Sequence, residues 1–186
     1  WDERILKDIP LIYKGLLRNY RVYKPIIAAV RGFAVAGGTE MLSCTDIRVA
    51  SDDARFGLAE VKWSLFPMGG STVRLPKQIG FCNAMEILLT GEQVSAERAL
   101  QMGLINKVVP SAQVMDEAMR YARIIKDAGP LAVQAVKRSV LECLDLPWEQ
   151  ALEHEQSIGV PVTMSEDCRE GTKAFKLKQK PVFHGR

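Results

Sequence analysis

Short apolar runs interrupted by glycines, followed by a long stretch of helical spacing, constrain this chain more than any other feature. Ile26–Val30 and Ile47–Ala50 have the length of buried strands, and the glycines between them mark tight turns. From Ile79 onward the pattern is mostly helical. Ala84–Leu89 stops at Gly91, Ser95 caps a helix through Met102 with Gly103 as its stop, and Ser111 caps one running to Asp127 with Gly129 beyond. Leu104–Val109 reads as an extended segment ended by Pro110. Pro130 and Pro147 sit where first-turn prolines begin the next two helices, and Ser165-Glu166-Asp167 opens the last one. Strands first and helices later predict an α/β core followed by a helical region that packs on it or on another subunit.

A length of 186 residues fits one domain, or one domain with a short appendage. With 47% hydrophobic and 25% charged residues the chain has a globular composition, which excludes a disordered tail. No apolar run approaches the ~18 residues of a transmembrane helix. The four cysteines are scattered without a CxxC pair, and His154 and His184 are the only histidines. Neither a metal site nor a disulfide framework is expected, and the cysteines read as reduced thiols. The net charge of +3 hides a division: residues 1–24 carry six basic and three acidic groups, 25–164 carry 13 and 16, and 165–186 carry six and three. Basic ends around a slightly acidic middle do not make the continuous basic face that nucleic acid requires. They leave room for a phosphate-bearing small molecule near one end.

The chemical interest lies in Gly32-Phe33-Ala34-Val35-Ala36-Gly37-Gly38-Thr39-Glu40, directly after the first apolar run. Adjacent glycines let a ligand approach the backbone N–H groups, and Thr39–Cys44 can form a short helix. Free amides at such a point bind a phosphate or the negative oxygen developing on a carbonyl. Neither GxGxxG nor GxxxxGK[ST] occurs, so the carbonyl oxygen is the better candidate. The plainer reading, a tight strand-to-helix turn and nothing more, stays open for Gly37 and Gly38. Glu40 falls in the first helical turn, where a carboxylate is favourable whatever its function. A second acid, Glu60, follows Ala54-Arg55-Phe56-Gly57-Leu58-Ala59 and precedes the glycine-containing loop Pro67-Met68-Gly69-Gly70-Ser71. Two carboxylates in one poorly solvated pocket can divide acid and base roles, one taking a proton from water and the other giving one to carbon.

These residues resemble the crotonase (enoyl-CoA hydratase/isomerase) family. The matching text is Lys24–Gly32, Ala36–Glu40, Cys44-Thr45-Asp46-Ile47, Phe56–Glu60 and Pro67–Gly70, continuing in Leu89-Thr90-Gly91, Ser95-Ala96 with Ala99, and Gly103–Pro110. The resemblance covers nearly the whole chain from Lys24. It implies an α/β, crotonase-like core of ββα-spiral type over residues 1–110 and a helical region over 111–186 for trimer packing and contact with coenzyme A. Gly37 resembles the residue whose amide forms half of an oxyanion hole for the thioester oxygen, with Gly38 beside it. Glu40 and Glu60 resemble the two acids of the hydratases, Glu40 helping to activate water and Glu60 exchanging the proton at the carbon next to the thioester. Isomerases of the family typically lack one of this pair, so the resemblance favours an enoyl-CoA hydratase. Another acyl-CoA reaction, such as that of a carnitinyl-CoA dehydratase, an isomerase or a thioester hydrolase, is the alternative, and a non-catalytic interaction homologue is the reading from another class.

Two departures qualify the resemblance. Where hydratases usually read Pro-Gly-x-Gly-Gly, this chain has Pro67-Met68-Gly69-Gly70-Ser71, with a bulky side chain in place of a glycine. The family's first strands and its other oxyanion-hole amide are expected to precede residue 1, where the chain begins at Trp1 without a Met or a signal-peptide pattern. Pro67, Met68 and Trp63 are candidate substrate contacts, although an aromatic or Met is more often core. Phe175 and Lys178 resemble a Phe and a Lys that approach the coenzyme A nucleotide, while lysines in such a segment are more often a solvated face. His154 and His184 are read as non-catalytic. The implied partners are an acyl-CoA thioester as substrate and further copies of the chain in a trimer or a dimer of trimers. Coenzyme A enters as part of the substrate, with no permanent cofactor, no membrane and no nucleic acid. The expected compartment is the bacterial cytoplasm, or the mitochondrial matrix if the source is eukaryotic.

Overall fold

The computed structural model describes residues 13–186. The first four strands alternate between two small sheets. Strand β1 (Ile27–Val30) is followed by β2 (Phe33–Val35) and helix α1 (Gly37–Leu42). Then β3 (Ile47–Ser51) and β4 (Arg55–Gly57) are followed by a 3-10 turn over Ala59–Trp63. The first strand of each pair joins one sheet, of order β1-β3-β6, and the second joins the other, of order β2-β4-β5, where β5 is Val94–Ser95 and β6 is Lys107–Val109. β1 and β3 pair in parallel with Ile27 opposite Ile47, and β2 and β4 pair in parallel with Val35 opposite Gly57. Stacking one strand-strand-helix unit on the next in this way gives the α/β spiral expected from the sequence.

Helices α2 (Ser71–Ile79), α3 (Phe81–Thr90) and α4 (Ala96–Gln101) close the core of this part. Phe56, Leu58, Leu75, Ile87 and Leu104 lose essentially all contact with water there. Each contributes roughly 1.5–3 kcal/mol on the transfer scale. Arg48 is buried beside them without stranding its charge. Its guanidinium donates to the carbonyls of Leu104 and Thr45 and to Gln78 Oε1 at 2.9–3.0 Å. Desolvation still lowers its pKa from the ordinary arginine value.

The remaining helices are α5 (Val114–Lys126), α6 (Pro130–Cys143), α7 (Trp148–Thr163) and α8 (Glu166–Leu177). Packing groups the described residues into two units, one formed by 13–22 and Ile26–Arg120, the other by Tyr23–Pro25 and Tyr121–Arg186. The boundary falls within α5, whose first half buries Val114 and Ala118. In the second unit α7 packs against both α6 and α8.

Several local expectations need correction. Ser111 does not cap α5. It opens a separate 3-10 turn over Ser111–Gln113, and Pro110 stands in the cap position without a side chain able to bond. Pro147 is the N-cap residue of α7, one position before the first turn, whereas Pro130 does begin α6. The extended segment from Leu104 is a strand only over Lys107–Val109, since the Leu104 N–H turns back to Ala99 O at 2.8 Å. Helix α1 starts at Gly37, two residues before the expected start at Thr39.

Candidate active site

Because β2 and β4 are adjacent and parallel, the chain leaves both at the same end of the sheet, the place where parallel α/β sheets present ligand sites. Two residues past Val35 stands Gly37, and three past its register partner Gly57 stands Glu60. The link is reinforced beyond the strands by the Ala36 N–H, which donates to Gly57 O at 2.8 Å. Thr39, with no exposed surface, lies between the strands: its hydroxyl is 2.5 Å from Ala34 O and 3.0 Å from Gly57 O, and accepts from Gly57 N at 3.1 Å.

The strained residue of this turn is Ala36, with φ 49° and ψ −122°, a conformation that alanine rarely adopts. Gly37 and Gly38 both lack the positive φ that demands glycine. A Cβ at Gly37 would meet no atom within 4 Å. Neither turn geometry nor packing therefore explains Gly37, and its open side leaves the backbone accessible to a ligand.

Glu40 is only 6% exposed, yet its carboxylate is not isolated. Oε1 accepts from the Gly69 N–H and from Ser71 Oγ, each at 2.8 Å. A Cβ at Gly69 would overlap Glu40 Oε2, so the acid and the loop fit only with glycine at 69. The loop is held from behind by Arg74, whose guanidinium donates to Gly69 O at 3.0 Å and to the Leu16 and Leu17 carbonyls at 2.9 and 3.0 Å. Among the described residues, the buried polar side-chain atoms without a hydrogen-bond partner are Ser51 Oγ and Glu60 Oε2. A dry carboxylate oxygen with no partner is costly unless a ligand or proton uses it. Cys44 lies nearby, its thiol donating to Leu16 O at 2.9 Å, with burial raising its pKa from the ordinary value.

The substrate-contact candidates differ in setting. Pro67 and Met68 line a cleft with Phe66 and Val73, and Met68 O accepts from Arg18 at 2.8 Å. Met68 and Trp63 are 51% and 76% exposed, so neither is core in this chain. Phe175 and Lys178 belong to the second unit. Phe175 is 85% exposed, and Lys178 ends α8 in a left-handed turn. Sequence reasoning passed over Thr39, Arg74 and the hydroxyl of Ser71. A small hydroxyl residue just after paired glycines was the available signal for Ser71. Among the described residues, no three His, Cys, Asp or Glu side chains gather as metal ligands, and no helix is long and apolar enough to cross a membrane.

The α/β spiral is that of the crotonase class, and the chain belongs to the enoyl-CoA hydratase/isomerase family, whose model matches residues 10–186. It is 49% identical over 172 residues to enoyl-CoA hydratase EchA19 of Mycobacterium tuberculosis, covering 92% of this chain and 65% of that protein. It is 41% identical over 170 residues to (E)-benzylidenesuccinyl-CoA hydratase of Thauera aromatica, covering 91% and 66%. The crystal structure of enoyl-CoA hydratase from Bacillus anthracis superposes with a TM-score of 0.94 at 32% identity, covering all of this chain and 72% of that one. The chain thus spans just under two thirds of the length of these two curated relatives.

Proposed function

We propose that this protein is an enoyl-CoA hydratase, adding water across the 2,3 double bond of a 2-enoyl-CoA thioester to give a 3-hydroxyacyl-CoA. The reading is carried by one observation: Gly37, Glu40 and Glu60 all follow the same end of two neighbouring parallel strands. Two relatives named as hydratases support it.

In this reading the thioester oxygen accepts from the Gly37 N–H, which draws electron density from C3. Glu40 takes a proton from water as the water oxygen bonds to C3. The pair of electrons leaving the double bond is held on the thioester oxygen until Glu60 delivers its proton to C2. Water is consumed as hydroxyl on C3 and hydrogen on C2, and proton exchange with solvent returns both acids to their starting forms. The same steps in reverse describe a dehydratase. Pro67, Met68 and Trp63 would meet the acyl chain, and Phe175 and Lys178 the coenzyme A nucleotide, Lys178 acting as a point charge on phosphate. A trimer or pair of trimers is proposed on the exposed apolar side chains of α6 and α7, among them Val136, Val140 and Val160.

The test is an assay of the full-length protein on a short trans-2-enoyl-CoA, followed by loss of the conjugated thioester absorbance. Glu40→Gln and Glu60→Gln, made separately, are each expected to lower kcat by roughly 10²–10⁴-fold. Wild-type turnover in both variants would overturn the two-acid mechanism. Absence of turnover with the wild-type protein, set against turnover of a carnitinyl-CoA or 3-enoyl-CoA substrate, would favour the alternative reactions.

A further inference from the structure

We infer that Ser71 is a positioning residue for Glu40, fixing the carboxylate so that it exchanges protons through Oε2 alone. The inference rests on the reading of Glu40 as the group that takes a proton from water. A carboxylate oxygen has two in-plane lone pairs. On Oε1 both are matched, one by the Gly69 N–H and one by the Ser71 hydroxyl, each at 2.8 Å. Ser71 is completely buried as the first residue of α2, so its hydroxyl has no competing bond to bulk water.

Oε2 stands differently. It makes no hydrogen bond with the described residues, and it lies against the open side of Gly69, where a Cβ would come within 2.2 Å of it. Glu60 Oε2, by contrast, is both dry and unpartnered. The two acids are therefore unlike each other: on Glu40 one oxygen is matched by two donors and the other by none, while Glu60 carries a dry oxygen without a donor. Ser71 contributes to that difference by holding Oε1 out of the proton path. With the Gly69 N–H as its one remaining donor, the carboxylate has less to fix which oxygen it presents. Hydrogen bonds to charged groups contribute enough that losing one costs roughly tenfold or more in rate when the group acts in the transition state.

The experiment uses the full-length protein with Ser71→Ala, Ser71→Gly, Glu40→Gln and the Ser71→Ala/Glu40→Gln double variant, assayed on a short trans-2-enoyl-CoA. Ser71→Ala and Ser71→Gly are expected to lower kcat by about tenfold with KM within about twofold of wild type. In the Glu40→Gln background, Ser71→Ala is expected to change kcat by less than about twofold, since the group it positions no longer takes the proton. A residue that only supports the fold would give the same factor in both backgrounds. The proposal is overturned if Ser71→Ala turns over like wild type, if Ser71→Gly alone does so, or if the factor persists undiminished with Glu40→Gln. Wild-type turnover in Glu40→Gln itself would instead remove the reading on which the proposal depends.

Discussion

At the scale of single residues the site is built from close approaches, and Gly69 is the clearest of them. Its amide serves Glu40 Oε1 while the space of its missing side chain is taken by Glu40 Oε2 and Leu16. Gly69→Ala forces the carboxylate or the loop to move, and overpacking of this kind typically costs about 1–3 kcal/mol. We predict a melting temperature lower by roughly 5 °C and kcat lower by at least about tenfold, read by circular dichroism and the absorbance assay. An unchanged protein would show that the loop yields freely. The sequence singled out Glu40, Glu60 and Gly37 as candidates because acids and glycines occupy recurring places in a known pattern. It did not make Ser71 legible, because a serine after two glycines reads as turn chemistry and its bond reaches across 31 positions. Ala36 was equally hidden: nothing in the residue type announces that it, and not the glycines after it, carries the strained backbone.

Single elements were readable wherever a cap lies next to what it caps. Ser95 accepts from the Arg98 N–H and Ser165 from the Cys168 N–H at 3.2 and 3.1 Å, as their positions predict. Ser111 failed because a 3-10 turn intervened before α5. The bonds joining helices were out of reach of such reasoning. Glu142 on α6 accepts from Tyr23 Oη and from Arg138, and lies 2.6 Å from His154 Nε2 on α7. With Lys137 donating to Lys24 O at 3.0 Å, these bonds fasten Tyr23–Pro25 to helical residues 113 and 119 positions further along the chain. The Tyr23 hydroxyl first, then His154 and Arg138, holds the Glu142 carboxyl well below its ordinary 4.5, at about 2. A carboxyl with a depressed folded pKa stabilises the protein above its unfolded value, and that contribution fades as pH falls toward the folded one. The melting temperature of wild type should therefore exceed that of Glu142→Gln at pH 7, and the gap should shrink from about pH 4.5 downward and close near pH 2. A gap that stays constant between pH 7 and pH 3 would contradict this account of the cluster.

For the molecule as a whole, the order of strands and helices carried the fold class. Apolar runs of strand length followed by capped helices fit few arrangements besides an α/β core with a helical continuation. The pairing of β1 with β3 and β2 with β4 was not written in any one run, since register between strands some twenty positions apart depends on the turns that separate them. That pairing brings the amide at 37 and the acid at 60 to one end of a sheet, and the proposed chemistry depends on it. The most direct test is a crystal structure of the full-length protein with a 3-hydroxyacyl-CoA bound. The account predicts the thioester oxygen within hydrogen-bond distance of the Gly37 N–H and the 3-hydroxyl resting between Glu40 Oε2 and Glu60. A product whose hydroxyl touches neither acid, or whose thioester lies away from Gly37, would contradict it.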